Sequence, residues 1–287
     1  MNNPIISVIV PVYNIKPKFL RQCFDSIVGQ TLADFELIIV NDASTTHCFD
    51  VCKEYADKDE RIVLIDKKQN EGVDRARFSG MERARGKYVA FVDADDWLCD
   101  REIFSKLYNK AEETGADLVQ FRWQRVYNSH SLIKLSSASP LSGLIEQPEM
   151  KERCWASLFC YSGGLFPASM CGKLFRREAI ERAHLQPTGA KQGEDTMFIL
   201  ALWPHLRSAY FMDDIGYTVR VRYKKDRVLR WFFESAKMSF NMRLRLIEEY
   251  NFHRMHDEAR ITFLNGFKEE IAQRIRFTHT DAGCRVA

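Results

Sequence analysis

Hydrophobic positions in the first third of the chain fall into short, nearly unbroken blocks, each ending on polar residues. Ile5-Ile6-Ser7-Val8-Ile9-Val10 leads into Pro11-Val12-Tyr13-Asn14, and Phe35-Glu36-Leu37-Ile38-Ile39-Val40 into Asn41-Asp42. Arg61-Ile62-Val63-Leu64-Ile65 leads into Asp66, and Lys87-Tyr88-Val89-Ala90-Phe91-Val92 into Asp93-Ala94-Asp95-Asp96. Blocks this short and rich in β-branched residues predict strands buried on both faces. Helical periodicity fills the intervals. Residues 18–30 place Phe19, Leu20, Cys23 and Ile27 on one face, and residues 47–57 do the same with Cys48, Val51, Cys52 and Tyr55. Residues 72–85 are less periodic but stop at Gly86, a residue suited to ending a helix. Strand alternating with helix predicts a doubly wound, mostly parallel sheet with right-handed crossovers.

Further along, 103–114 reads as a helix, 117–126 as a strand, and 128–142 as a polar, Ser-rich loop. After Asp226 the pattern changes to amphipathic helices: Leu229, Phe232, Phe233, Ala236, Phe240, Leu244 and Ile247 recur at helical spacing, then Ile261, Leu264, Phe267 and Ile271. The expected organisation is an α/β domain over 1–226, with a nucleotide-binding half at 1–98 and an acceptor half at 99–226. A helical extension over 227–287 completes it.

Composition narrows the partners. With 46% hydrophobic and 28% charged residues the chain can bury a large core, which excludes the disordered classes. Its 42 Lys+Arg against 39 Asp+Glu leave a formal charge of only +3, too slight an excess for a nucleic-acid binder. The eight cysteines are scattered without a paired motif and read as reduced core residues; Cys48 and Cys52 beside His47 read as packing rather than a metal site. No run approaches the ~20 apolar residues of a membrane span, and the start of the chain shows no leader. These features predict a cytoplasmic protein, reaching at most the inner face of the cell membrane through its C-terminal helices, where Trp231, Phe232 and Phe233 lie near Arg227 and Arg230, although packing of these helices on the α/β domain is the commoner reading of such a pattern.

In an open parallel sheet, ligands sit beyond the carboxyl ends of the strands. Here those ends carry Tyr13-Asn14, Asn41-Asp42, Asp66 and Asp93/Asp95/Asp96. Adjacent carboxylates repel unless a cation or a donor-rich ligand neutralises them, and hard oxygen ligands suit Mg²⁺ or Mn²⁺ shared with a diphosphate. A solvated capping cluster is the plain alternative for such a motif taken alone. The chain has neither a Gly-x-Gly-x-x-Gly fingerprint nor a Walker loop, which removes the usual dinucleotide and NTPase readings.

Several motifs then occur in a fixed order: Ser7–Asn14, Asn41-Asp42-Ala43-Ser44, Asn70-Glu71-Gly72 with Ala76-Arg77, Gly86-Lys87-Tyr88, Asp93–Asp96, Lys173–Glu178 and Gly193-Glu194-Asp195-Thr196. Together, over roughly residues 5–225, they resemble an inverting family 2 glycosyltransferase of the GT-A fold. The resemblance implies transfer of a sugar from a nucleotide-sugar donor, most often a UDP-sugar, to an acceptor hydroxyl. The acceptor it suggests is a saccharide or lipid-linked saccharide in bacterial cell-surface glycan assembly. By the same resemblance Pro11, Tyr13 and Asn14 wall the base pocket, Asp42 accepts the uracil NH, Asp93 meets the ribose, and Asp95, with Asp93, holds Mn²⁺ or Mg²⁺. Arg77 stands near the donor phosphates or sugar. Two positions depart from the pattern: Phe78 where the family often has Asn, and Cys171-Gly172-Lys173 where Trp-Asn-Lys is common.

Inversion needs a base for the acceptor hydroxyl and a Lewis acid for the departing diphosphate. Asp195, in the family's Glu-Asp motif at a predicted helix start, is the expected base, with Glu194 as the alternative; Asp96 is read as a supporting or helix-capping residue and Arg222 as a further candidate site residue. Arg220, Arg222, Tyr223 and Lys224 form a basic stretch that either closes over the diphosphate or is solvated. The rival readings are a sugar nucleotidyltransferase, which usually carries a Gly-rich loop absent after the first strand here, and a non-catalytic nucleotide-sugar-binding protein.

Overall fold

The computed structural model describes residues 3–127, 132–135, 141–147, 169–221 and 229–249. The four apolar blocks form strands: β1 (Ile6–Val12), β2 (Phe35–Asn41), β3 (Ile62–Asp66) and β4 (Tyr88–Phe91). Three helices connect them, α1 (Pro17–Val28), α2 (Cys48–Lys58) and α3 (Val73–Arg83). α1 opens on Pro17, whose fixed φ and missing N–H suit a first turn. α3 stops at Arg83, two residues short of the predicted end. Ala84 N–H has already slipped to the Met81 carbonyl, and Arg85 N–H goes instead to the buried Glu36 carboxylate at 2.7 Å.

β1 pairs in parallel with β2 on one side and β4 on the other, and β2 pairs in parallel with β3. The chain thus runs outward from β1 to β3, then returns across β1 to place β4. With right-handed crossovers this reversal puts a topological switch between β1 and β4, where an open sheet offers its binding crevice. α3 packs on β1 and β2, and so closely that a Cβ on Gly80 would lie 2.4 Å from Ile9 Cγ2.

Beyond β4 come β5 (Trp97–Leu98), α4 (Ile103–Thr114), β6 (Leu118–Tyr127), β7 (Leu132–Leu135), β8 (Gly143–Glu146) and β9 (Lys173–Arg176). They are followed by α5 (Arg177–Arg182), α6 (Glu194–Leu202), β10 (Ser208–Val221) and α7 (Leu229–Glu249). One ten-stranded sheet results, in the order β3-β2-β1-β4-β9-β6-β10-β5, with β7 beside β6 and β8 beside β10. β6 and β10 run parallel, whereas β9 lies antiparallel to both β4 and β6 and joins the two regions of sheet. More paired residues stand in parallel than in antiparallel register, as expected. The Ser-rich stretch corrects the sequence reading: 128–142 is not all loop, because Leu132–Leu135 pairs antiparallel with Gln124–Tyr127 as β7.

The core is continuous across the sheet, and Phe91, Phe175 and Phe198 meet edge to face within it at 5.9 Å. α7 packs on α6, with Leu246 joining this core and Ser239 and Arg243 also buried. The second amphipathic segment, 261–271, lies outside the described residues. Cys23, Cys48, Cys52 and Cys171 are buried free thiols, in line with the packing role expected of them, whereas Cys99 is exposed. Among the described residues no helix is long and apolar enough to cross a membrane.

Candidate active site

The loops after β1 and β2 are stitched together. Asn14 Oδ1 accepts Thr45 N–H at 2.9 Å, and Asn14 N–H donates to Ser44 Oγ at 3.2 Å. Asn14 and Ala43 both adopt positive φ, 51° and 55°, so each loop turns sharply at the end of its strand. Pro11 is half-buried on β1, and Tyr13 beyond it is 47% exposed, leaving its ring face open beside this junction. Asp42 is buried, and the partners of its carboxylate are protein groups. Glu71 N–H and Gly72 N–H donate to it at 3.0 and 2.8 Å, and Lys67 Nζ lies 3.1 Å away. Asp42 therefore holds the Asn70-Glu71-Gly72 turn that opens α3, with Gly72 at φ 92°.

That turn sets the direction of α3 and so of Arg77. The Arg77 guanidinium is 3% exposed and forks among three carboxylates: Nη2 meets Asp93 Oδ1 at 2.8 Å, while Nη1 meets Glu194 at 3.2 Å and Asp195 Oδ1. Asp93 follows β4, and Glu194 and Asp195 form the first turn of α6. Residues over 100 positions apart thus converge on one cation. Burial opposes that charge, but Asp195, Asp93 and Glu194 outweigh it and hold the Arg77 pKa well above its usual value. Burial, reinforced by the Asp195 charge, raises the Glu194 carboxyl.

Asp195 Oδ2 accepts Ser169 Oγ–H at 3.2 Å and Met170 N–H at 3.3 Å. Below it Lys173, on β9, is buried and donates from Nζ to the Ser169 carbonyl at 2.6 Å. Burial lowers the Lys173 ammonium to about 7 against the opposing pull of Asp195. Lys173 belonged to a recognised motif, but a lysine with this burial carries no mark in sequence.

The acidic turn at 93–96 is closed by Asp96 N–H donating to the Asp93 carbonyl at 2.9 Å. Asp93 is 39% exposed, Asp95 is half-buried, and Asp96 is 5% exposed. Burial, with the Asp93 and Asp95 charges adding to it, pushes Asp96 up to about 8. Asp96 accepts the Tyr217 hydroxyl at 3.0 Å and Arg220 N–H at 2.7 Å, both from β10. Tyr217 was not foreseen, because an aromatic residue in a strand reads as packing. Arg220 was considered as a closing residue; it lies within β10, its Nε donating to the Asp95 carbonyl at 3.0 Å and its Nη2 to Gln22 at 2.5 Å. Its guanidinium also covers the rings of Phe19 and Trp97 at 4.1 and 4.7 Å. Arg222 lies outside the described residues.

As a metal donor set, Asp93 and Asp95 supply hard oxygens from one turn. Among the described residues no group of three His, Cys, Asp or Glu side chains forms a closed metal site. Two carboxylates on an open turn fit a divalent cation whose remaining ligands are phosphate and water oxygens, rather than a cage built by protein alone. A separate cavity of about 430 Å³ is lined by Phe78, Met197, Phe198 and Met242, together with His184 and His205. None of the acidic-turn residues lines it.

Comparison with known proteins gives the family and the fold. Residues 7–182, more than half of the chain, match the model of glycosyl transferase family 2. The chain belongs to that family. Among its relatives are the uncharacterized glycosyltransferase EpsJ of Bacillus subtilis, 32% identical over 76% of this chain, and the glycosyltransferase GlyA of Streptococcus pneumoniae, 30% identical over 76%. The matched regions span 61% of EpsJ and 30% of GlyA, so both relatives are longer than what is shared. S. aureus TarS, solved in complex with UDP-GlcNAc, superposes with a TM-score of 0.67 at 20% identity, covering 83% of this chain and 66% of that one. A Pyrobaculum calidifontis mannosyltransferase, solved with GDP-Man and Mn²⁺, matches at a TM-score of 0.54 and 18% identity across all of this chain and 81% of its own. These neighbours establish the GT-A fold.

Proposed function

We propose that this family 2 protein transfers a sugar from a nucleotide-sugar donor, a UDP-sugar by preference, to an acceptor hydroxyl with inversion at the anomeric carbon. The observation that carries this reading is the Arg77 fork, which holds Asp195 of α6 and Asp93 of the acidic turn on one guanidinium. A proton acceptor and a diphosphate-facing carboxylate on the same side of the molecule are what a single in-line displacement requires.

In this reading the exposed ring of Tyr13, with Pro11 and Asn14, receives the base, and Asp42 accepts the uracil NH. Asp93 meets the ribose and Asp95 leads the cation-binding pair. When bound, Mn²⁺ or Mg²⁺ offsets the charge that develops on the leaving diphosphate. Asp195 takes the acceptor proton, its carboxylate oriented by Arg77 on one oxygen and by Ser169 and Met170 on the other. Glu194, beside it, meets the same guanidinium at 3.2 Å and is the second candidate for the base. The acceptor is a saccharide or lipid-linked saccharide of cell-surface glycan assembly, met on the cytoplasmic side of the membrane. The UDP-GlcNAc complex of TarS supports a UDP-sugar donor.

The test is transfer or donor hydrolysis with a panel of UDP- and GDP-sugars and Mn²⁺, comparing wild type with Asp195→Asn. The amide keeps the shape, but it takes no proton. Donor affinity should stay near wild type while turnover falls on the order of 10²–10⁴-fold. Turnover within a few-fold of wild type, or full activity in EDTA, overturns the assigned roles.

A further inference from the structure

β10 is the seventh strand along the sheet, yet it touches the acidic turn at every exit. The turn leaves β4 at Asp93 and enters β5, which is held antiparallel on β10 with Leu98 opposite Tyr217 and Trp97 opposite Thr218. Asp93 N–H donates to the Tyr217 oxygen at 3.0 Å, and the same hydroxyl donates to Asp96 Oδ2 at 3.0 Å. One buried hydroxyl therefore spans the turn from first to last residue. Three positions further along β10, Arg220 N–H holds Asp96 Oδ1 while Arg220 Nε holds the Asp95 carbonyl. Its planar group is wedged against Phe19 and Trp97, so the fork has little freedom to turn. The turn is thus secured at Asp93 N–H, the Asp95 carbonyl and both Asp96 oxygens, and each of these bonds leads to β10.

We infer that Tyr217 and Arg220 are positioning residues for metal-dependent donor binding: they fix the turn so that the Asp93 and Asp95 carboxylates face one cation together with the donor diphosphate. The inference rests on the proposed metal role of that pair. Neither side chain touches the donor; each acts through the turn. Asp96, the buried member of the cluster, is the keystone through which β10 sets the two more exposed carboxylates. Loss of such outer partners typically costs 10–100-fold in metal affinity.

The experiment is calorimetric titration of UDP into the full chain with and without Mn²⁺, using wild type, Tyr217→Phe and Arg220→Lys, with thermal unfolding of each. Wild type should bind UDP more tightly with Mn²⁺. Tyr217→Phe should keep the metal-free affinity, set by the loops after β1 and β2, while its Mn²⁺-dependent gain falls at least tenfold. Arg220→Lys keeps the charge but loses the planar fork; it should show the same selective loss and carries the test if Tyr217→Phe folds poorly. A purely structural role would lower the unfolding temperature or the binding stoichiometry without separating the two conditions. A full metal-dependent gain in both variants, or an equal loss with and without Mn²⁺, overturns the inference alone. Wild type that gains nothing from Mn²⁺ overturns the metal role proposed for Asp95 and this inference with it.

Discussion

Replacing Arg77 with Met tests the central ion-pair cluster most directly. Met fills much of the volume but leaves Asp93, Glu194 and Asp195 facing one another with no cation between them. Removing one partner of a buried pair typically costs about 3–5 kcal/mol, because the remaining charge stays desolvated. Asp93, 39% exposed, recovers hydration most easily, whereas Glu194 and Asp195, at 15% and 23%, recover less. The loss should therefore sit near the lower end of that range, about 3 kcal/mol, still a large share of the 5–15 kcal/mol typical of a domain. It should also depend on pH. Glu194 is already raised by burial and the Asp195 charge, and Arg77 opposes that rise, so without the guanidinium the folded state is best off when Glu194 is protonated. It loses ground as pH rises through that raised value. Urea unfolding at pH 5 and pH 8 should show the deficit against wild type growing toward pH 8. Arg77→Lys, a point charge able to reach fewer of the three partners, should fall between wild type and Met. A deficit below about 1 kcal/mol, or one identical at both pH values, would refute the view that Arg77 neutralises this cluster.

Two further perturbations probe the frame. Gly80→Ala, which puts a Cβ 2.4 Å from Ile9 Cγ2, should destabilise by about 1–3 kcal/mol through the α3–β1 contact; an unchanged melting temperature would show that the helix can shift. Asp117 is fully buried and accepts Arg207 and Arg182 at 2.8–3.1 Å; burial opposes its charge, but these partners prevail and hold the carboxyl below its usual range. Its contribution is therefore present above about pH 4 and lost as pH falls through the depressed value. Asp117→Asn should accordingly cost stability at pH 7 and progressively less in acid, and a cost independent of pH would sink that account.

The first four strands were legible because Ile- and Val-rich blocks ending on Asn or Asp have few other readings. Asp93, Asp195 and Arg77 were each legible as members of motifs, but their meeting was not, since nothing local links position 77 to position 195. Arg220 was visible only as part of a basic stretch, and Tyr217 was less visible still. On a strand of fourteen residues a tyrosine looks like ordinary alternation, and only the pairing of β5 on β10 brings the two under the acidic turn. β7 was missed for a different reason: its four residues sit in a Ser-rich setting whose composition outweighed the short apolar run.

The insertion of β9 between β4 and β6 bears on how the protein is made. A ribosome releases β1 to β4 early, and these can pair at once, but the outer side of β4 must wait for Lys173–Arg176 before it has a neighbour. Through that interval Tyr88-Val89-Ala90-Phe91 offers a bare, apolar edge to any other nascent chain. Translation halted before residue 173 should therefore yield a product that clumps rather than a small stable nucleotide binder. Any attempt to produce the first half by itself would have to supply the missing strand, as a peptide or a grafted hairpin, to keep that fragment in solution.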